Sequence, residues 1–190
     1  MRCFESKENL VHAIRSDENY RSPFVLGVDG LDGSGKTGLT DYLKLILRAT
    51  VISLDDFILP KKDAYVPALN IQSAREKIFS ADRPLIVEGV CLLAAAECID
   101  CKLSQFVYVK RMRPGNTWRN KIVDELPNDV EEFIAAEEEE LRTFAQIENE
   151  IEGGDTLDLK AVKLSGLAME LIRYHARFRP VENADYILSW

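Results

Sequence analysis

Residues 30–37 read Gly-Leu-Asp-Gly-Ser-Gly-Lys-Thr, which matches the pattern G-x-x-x-x-G-K-T. Glycines allow the backbone to curl until several N–H groups point at one anion. At this spacing Lys36 is predicted to reach the β- and γ-phosphates of a nucleotide, and the Thr37 hydroxyl to hold Mg²⁺. Residues 24–28 have the pattern of a buried strand, and residues 37–48 carry apolar residues at helical spacing. A strand, a glycine-rich loop and a helix N-terminus together predict a nucleotide phosphate site.

The predicted nucleotide site covers the whole motif and the residue that follows it. We expect the phosphates of ATP to be bound by Gly30, Leu31, Asp32, Gly33, Ser34, Gly35, Lys36, Thr37 and Gly38. Lys36 is also a predicted catalytic residue, because its charge would stabilise the phosphoryl group during transfer. The sequence leaves the choice between ATP and GTP open.

Charge and composition limit the partners of this chain. Its 190 residues carry a formal charge of −8, which argues against nucleic acid or an anionic membrane as a partner. No apolar run has the length of a membrane span, and the N-terminus lacks the apolar core of a signal peptide. We therefore expect one cytoplasmic domain over residues 1–190 that binds small molecules, and a homodimer is compatible with the sequence. Cys98 and Cys101 have no second pair to complete a metal site, so free thiols are predicted.

Short apolar strands alternate with helical segments along the chain. The predicted strands are residues 24–28, 51–54, 84–89, 106–109 and 185–189, and the predicted helices include residues 5–18, 71–80 and 128–152. This alternation predicts an α/β fold of three layers, in which a five-stranded parallel sheet is covered by helices on both faces.

Carboxylates follow two of the predicted strands. Asp55 and Asp56 come directly after the second strand, and Glu88 lies at the end of the third. In an open parallel sheet the ligand lies beyond the carboxyl ends of the strands, where the glycine-rich loop also lies. Either Asp55 or Asp56 is therefore the predicted general base for an acceptor hydroxyl. Thr37, Asp55 and Glu88 are the predicted metal ligands, since Mg²⁺ prefers oxygen donors.

Several segments resemble the uridine kinase and phosphoribulokinase superfamily, which includes nicotinamide riboside kinases and pantothenate kinases. Residues 51–57 (Val-Ile-Ser-Leu-Asp-Asp-Phe) look like the family's segment after its second strand, and residues 86–90 (Ile-Val-Glu-Gly-Val) like its third strand. Pro180 and residues 184–188 are similar to its closing proline and last strand. The resemblance implies a P-loop NTPase fold, transfer of a phosphoryl group from ATP to an alcohol, and Asp55 as the base.

The resemblance also implies substrate and lid residues. Asp55, Asp56 and Phe57 would contact the acceptor. The family's lid carries clustered arginines, and residues 111–125 match that lid by position and basic charge. Arg119 is the predicted catalytic arginine because it falls within the predicted lid helix, whereas Arg111 and Arg113 precede it.

The chain departs from the family pattern in two places. Gly38 stands where a second Ser or Thr is usual, and only about thirty residues separate Phe57 from Glu88, with no nucleoside-binding segment of the uridine kinase kind. A thymidylate-like nucleotide kinase and a non-catalytic nucleotide sensor remain alternatives. A regulatory GTPase is disfavoured, because residues 120–124 (Asn-Lys-Ile-Val-Asp) miss the guanine-reading pattern by one position. The identity of the acceptor stays open.

Overall fold

A parallel sheet of six strands forms the centre of the protein. The computed structural model describes residues 2–21, 23–60, 63–113, 117–118, 129–152 and 159–190. The strands of this sheet are β1 (Arg2–Phe4), β2 (Val25–Asp29), β3 (Thr50–Ser53), β4 (Leu85–Gly89), β5 (Gln105–Lys110) and β8 (Tyr186–Ser189). Their spatial order is β1-β8-β5-β2-β4-β3, and every neighbouring pair is parallel. Two short strands, β6 (Met112–Arg113) and β7 (Thr117–Trp118), form a separate antiparallel pair.

Six helices connect and cover the strands in the described part of the chain. They are α1 (Lys7–Ser16), α2 (Lys36–Leu47), α3 (Ile71–Ser80), α4 (Leu92–Ile99), α5 (Val130–Glu152) and α6 (Gly166–Phe178). Short 3₁₀ helices span Leu54–Phe57, Val66–Ala68 and Leu159–Ala161. Side-chain caps fix several helix starts: Ser165, for example, accepts a 3.1 Å hydrogen bond from the N–H of Ala168 at the start of α6. None of the helices in the ranges given above has the length and apolarity needed to cross a bilayer.

The two faces of the sheet carry separate apolar clusters. On one face α1 and α2 contribute Leu10 and Leu39, while on the other α3 and α4 contribute Ile78 and Leu92. Each of these side chains is almost fully buried, and such burial stabilises the fold by about 1.5–3 kcal/mol per side chain. Strands β2 and β4 are buried along their whole length, as expected for strands covered on both faces. The predicted three-layer α/β fold is confirmed.

The strand count from the sequence was wrong by one. The extra strand is β1, which pairs with β8 and places Cys3 beside Ile187. Three residues are too few to show a periodic pattern, and β1 lies just before the helix predicted over residues 5–18, where no strand is predicted. Pairing with β1 also covers the backbone of β8, which would otherwise be an exposed sheet edge. The expected helix at residues 128–152 is confirmed as α5.

Candidate active site

The glycine-rich loop connects β2 to α2 and folds around the side chain of Lys36. Gly33 and Gly35 have φ angles of 70° and 97°, in the left-handed region that glycine adopts without strain. The ammonium of Lys36 donates hydrogen bonds to the carbonyl oxygens of Gly30 at 2.8 Å and Leu31 at 3.2 Å, and this residue is only 8% exposed. The first N–H groups of α2 have no acceptor within the helix, so they and the ammonium form one electropositive site.

Three side chains from distant segments hold this loop from outside. Trp190 donates from its indole N–H to the carbonyl oxygen of Ser34 at 2.7 Å, and Arg111 donates to that of Gly33 at 3.0 Å. Lys7 donates to the carbonyl oxygen of Gly38 at 3.0 Å, with its ammonium 4.4 Å from the centre of the Trp190 ring. The sequence analysis missed Trp190 and Lys7 because no local pattern signals a contact between residues so far apart in the chain.

Asp29, the last residue of β2, is another site residue that sequence reasoning missed. Its Oδ1 accepts a 2.6 Å hydrogen bond from the N–H of Gly30, and its Oδ2 accepts from the N–H of Leu92 at 3.2 Å and from the Tyr174 hydroxyl. Burial raises the pKa of Asp29 to about 6, although these hydrogen bonds and the charge of Lys36 oppose the increase. The available signal was an acidic residue that ends an otherwise apolar strand directly before the motif.

Asp55 lies where it was predicted, in the 3₁₀ helix that follows β3, and its carboxylate is exposed. The Tyr65 hydroxyl donates a 2.6 Å hydrogen bond to Asp55 Oδ1. Burial, and next the hydrogen bond to Asp55, raise the pKa of Tyr65, so that its hydroxyl keeps its proton. Asp56 is exposed and makes no hydrogen bond or ion pair with any described residue. Phe57 packs partly into the apolar cluster on the α3 and α4 face.

Glu88 is a buried carboxylate, only 6% exposed, near the carboxyl end of β4. In register it lies beside Val28 of β2 and Ser53 of β3. Because side chains alternate along a strand, Glu88 shares with Ile86 the face that α2 covers, and α2 carries Thr37 in its first turn. Glu88 has no hydrogen-bond partner in the described part of the chain.

The hydroxyl of Thr37 and the carboxylate of Glu88 fit Mg²⁺. Both are hard oxygen donors, and Mg²⁺ usually takes one or two carboxylates together with substrate phosphates and water rather than a complete protein cage. No group of three or more His, Cys, Asp or Glu that could hold a metal ion by itself occurs among the described residues. Glu88 is also a buried carboxylate that lacks a protein donor within the described ranges, which is the environment a bound cation would complete.

Some predicted residues cannot be placed in this site. Arg119, the predicted catalytic arginine, and most of the predicted lid lie outside the described residues. Cys98 is exposed and Cys101 half-buried, and neither forms a disulfide with a described residue. Burial raises the pKa of the Cys101 thiol, which makes it less reactive.

Sequence comparison and structure comparison give different results. No protein-family model matches the chain, and no curated protein sequence matches it. A solved structure described as a possible uridine kinase from Bacillus stearothermophilus is 16% identical with a TM-score of 0.56, and the match covers 96% of this chain and 96% of that one. A structure described as a candidate fructose transport system kinase, from Silicibacter sp. TM1040, is also 16% identical, with a TM-score of 0.47. That match covers 97% of this chain and 98% of the other one. The first similarity extends along nearly the whole chain, so this protein shares the fold of that structure, in which a parallel sheet is flanked by helices, as expected from the sequence.

Proposed function

We propose that this chain is an ATP-dependent kinase that transfers the γ-phosphoryl group to a hydroxyl of a small molecule, such as a nucleoside or a related metabolite. The observation that carries the proposal is that three features lie close together: the loop that surrounds Lys36, the carboxylate of Asp55 and the carboxylate of Glu88. The loop follows β2, Asp55 follows β3 and Glu88 lies near the end of β4, and these three strands are adjacent and parallel, so all three features lie at the carboxyl ends of the strands. Open parallel sheets bind their ligands at the carboxyl ends of their strands.

The transfer assigns a role to each of these groups. Residues 30–38 would bind the phosphates of ATP through backbone N–H groups, and Lys36 would stabilise negative charge on the γ-phosphoryl group. The acceptor oxygen attacks the γ-phosphorus while the bond to the bridging oxygen breaks, and ADP leaves with that electron pair. Asp55 takes the proton of the acceptor hydroxyl.

Thr37 and Glu88 are the residues that would hold Mg²⁺, which supplies charge neutralisation at the β- and γ-phosphates. Asp55, the third predicted metal ligand, is assigned to proton transfer, because its Oδ1 already accepts a hydrogen bond from Tyr65. Its carboxylate would lie close to the metal or to the water molecules around it.

The proposal is tested by incubating the purified chain with radiolabelled ATP and Mg²⁺ and with single acceptors. The panel contains uridine, cytidine, nicotinamide riboside, pantothenate, fructose and thymidine monophosphate. We expect transfer of label to one of the hydroxyl compounds, and loss of this transfer in the Lys36→Ala variant. Transfer to the phosphate of thymidine monophosphate would support a nucleotide kinase instead, and ATP binding without turnover would support a nucleotide sensor.

A further inference from the structure

The carboxylate of Asp55 accepts a hydrogen bond from a residue ten positions further along the chain. Tyr65 donates its hydroxyl hydrogen to Oδ1 of Asp55 over 2.6 Å. The other carboxylate oxygen, Oδ2, accepts no hydrogen bond from the described residues. A single donor thus fixes the rotation of the carboxylate and leaves one oxygen available to a ligand.

The side chain of Tyr65 is itself held in place by the residues packed around it. It is 7% exposed and belongs to the apolar cluster on the α3 and α4 face. Its hydroxyl lies against Gly89 at the end of β4, where a Cβ atom would come within 2.8 Å of the hydroxyl oxygen. The ring therefore has little freedom to turn away from Asp55.

The backbone of Tyr65 is held by a carboxylate from a different part of the chain. Glu170 of α6 accepts hydrogen bonds from the N–H of Tyr65 through Oε2 and from the N–H of Val66 through Oε1, the second at 2.9 Å. Close to this contact, Asp63 accepts a 2.8 Å hydrogen bond from the N–H of Gly166, the first residue of α6. A Cβ atom at Gly166 would lie only 2.3 Å from the carbonyl oxygen of Asp63, so helix and loop are in direct contact.

We propose that Tyr65 is the positioning residue for Asp55, and that Glu170 anchors the backbone that presents it; this inference rests on the proposed function. Tyr65 keeps its proton throughout the reaction and orients the carboxylate through Oδ1. The acceptor's proton passes to Oδ2, and the acceptor oxygen forms its bond to the γ-phosphorus as ADP leaves. Neither Tyr65 nor Glu170 touches the reacting atoms.

The contact is tested without any turnover by ¹⁹F NMR of protein that carries 3-fluorotyrosine at its six tyrosines. The Tyr65→Phe variant identifies the Tyr65 resonance by its absence. Asp55→Ala should move that resonance, because the acceptor of the hydroxyl is removed. Asp56→Ala is the matched control and should leave it in place, since Asp56 has no partner among the described residues.

The positioning role is tested by steady-state ATP hydrolysis with water as the acceptor, so that no particular substrate has to be known. Tyr65→Phe should lower kcat by about tenfold to a hundredfold, as misorientation of a catalytic group does, and change KM for ATP by less than about twofold. In an Asp55→Asn background, Tyr65→Phe should have almost no further effect, because the two residues act as one unit. Glu170→Gln, which retains one acceptor oxygen of two, should show a smaller loss of kcat in the same direction.

Tyr186→Phe is the control for loss of a buried hydroxyl. Tyr186 is fully buried and its hydroxyl donates to Asp17 at 3.0 Å, and Asp17 follows α1 directly. This variant should keep the kcat of the unmodified protein.

The outcomes separate the two proposals. If Asp55→Ala leaves the Tyr65 resonance unchanged, or if Tyr65→Phe lowers kcat equally with and without Asp55, the positioning role is wrong even in an active kinase. If the contact is present but the unmodified protein transfers no phosphoryl group to water or to any acceptor of the panel, the proposed function fails and the positioning role fails with it.

Discussion

Trp190 and Gly35 are in direct contact: a Cβ atom at Gly35 would lie 2.5 Å from the indole ring. The same indole donates to the carbonyl oxygen of Ser34 at 2.7 Å, so one side chain both packs against the loop and bonds to it. The shape of the loop proposed to bind the nucleotide is therefore supported by a residue 156 positions further along the chain.

Trp190→Phe keeps an aromatic ring at this position but removes the indole donor. We expect KM for ATP to rise about threefold to tenfold with a smaller change in kcat, because a hydrogen bond contributes about 0.5–1.5 kcal/mol. Steady-state kinetics at varied ATP concentration measure the change. An unaltered KM would show that Ser34 is held without the indole.

Lys36→Ala should lower phosphoryl transfer by a hundredfold or more, in line with the effect of removing other electrostatic stabilisers of a transition state, about 10²–10³. The variant should still fold, which circular dichroism and the melting temperature will show. Lys44→Ala is the matched control, because Lys44 is an exposed lysine in the last turn of the same helix. Normal turnover in folded Lys36→Ala protein would contradict the assignment of the loop.

Asp55→Asn retains the shape of the side chain but removes the proton acceptor. We expect kcat to fall by about a hundredfold to ten-thousandfold, while ATP affinity measured by calorimetry changes little. Asp56→Asn should have a much smaller effect, since its carboxylate is exposed and unpartnered among the described residues. If the Asp56 variant is the more damaged one, the roles of the two carboxylates are reversed.

Turnover should require a divalent cation and stop when EDTA is added. Glu88→Gln should increase the Mg²⁺ concentration needed for half-maximal activity by at least about tenfold, because replacing even the residues that orient a metal ligand lowers metal affinity about tenfold to a hundredfold. Glu97→Gln provides a control, because Glu97 is an exposed residue paired with Arg177. Activity that persists in EDTA would contradict the metal assignment.

Asp29 should make the free energy of unfolding decrease as the pH rises, which is the opposite of the effect of most carboxylates. Its pKa is about 6 in the folded state against an ordinary value of 3.8 for an aspartate, so the folded protein binds this proton more tightly than the unfolded chain. The stabilising contribution of Asp29 to the free energy of unfolding is therefore fully present below about pH 4 and is lost as the pH rises through 6. The loss is on the order of 3 kcal/mol.

Asp29→Asn removes this titration and leaves a buried N–H group without its carboxylate acceptor, at a cost of about 1–3 kcal/mol. Urea unfolding between pH 4 and pH 7 should show the largest loss of stability, relative to the unmodified protein, at the acidic end. Asp41→Asn, at an exposed position of α2, is the matched control. A difference that is constant with pH would contradict the raised pKa.

The parts of this structure that local pattern determines could be predicted from the sequence. The loop at residues 30–37 has a spacing that its backbone geometry demands, and the buried strands have apolar runs of the expected length. Sequence reasoning also placed Asp55 after β3 and Glu88 at the end of β4, because these positions follow directly from where an apolar strand ends.

The missed parts depend on contacts between distant residues. The bonds from Tyr65 to Glu170 and from Trp190 to Ser34 join residues 105 and 156 positions apart, and nothing near Glu170 or Trp190 in the sequence marks them as partners. Strand β1 was missed for a related reason, since three residues become a strand only where β8 offers its edge. Asp29 could have been found by asking why an acidic residue ends a buried strand.

Helix α6 contributes to both halves of the candidate site from one surface. Tyr174 bonds to Asp29 beside the glycine-rich loop, and Glu170, one turn earlier, bonds to the backbone of Tyr65 beside Asp55. One turn of α-helix advances about 5.4 Å and is stiff over that length. The separation between Asp29 and the backbone of Tyr65 is thus supported by a single rigid spacer, and a shift of α6 along its axis would move both supports together.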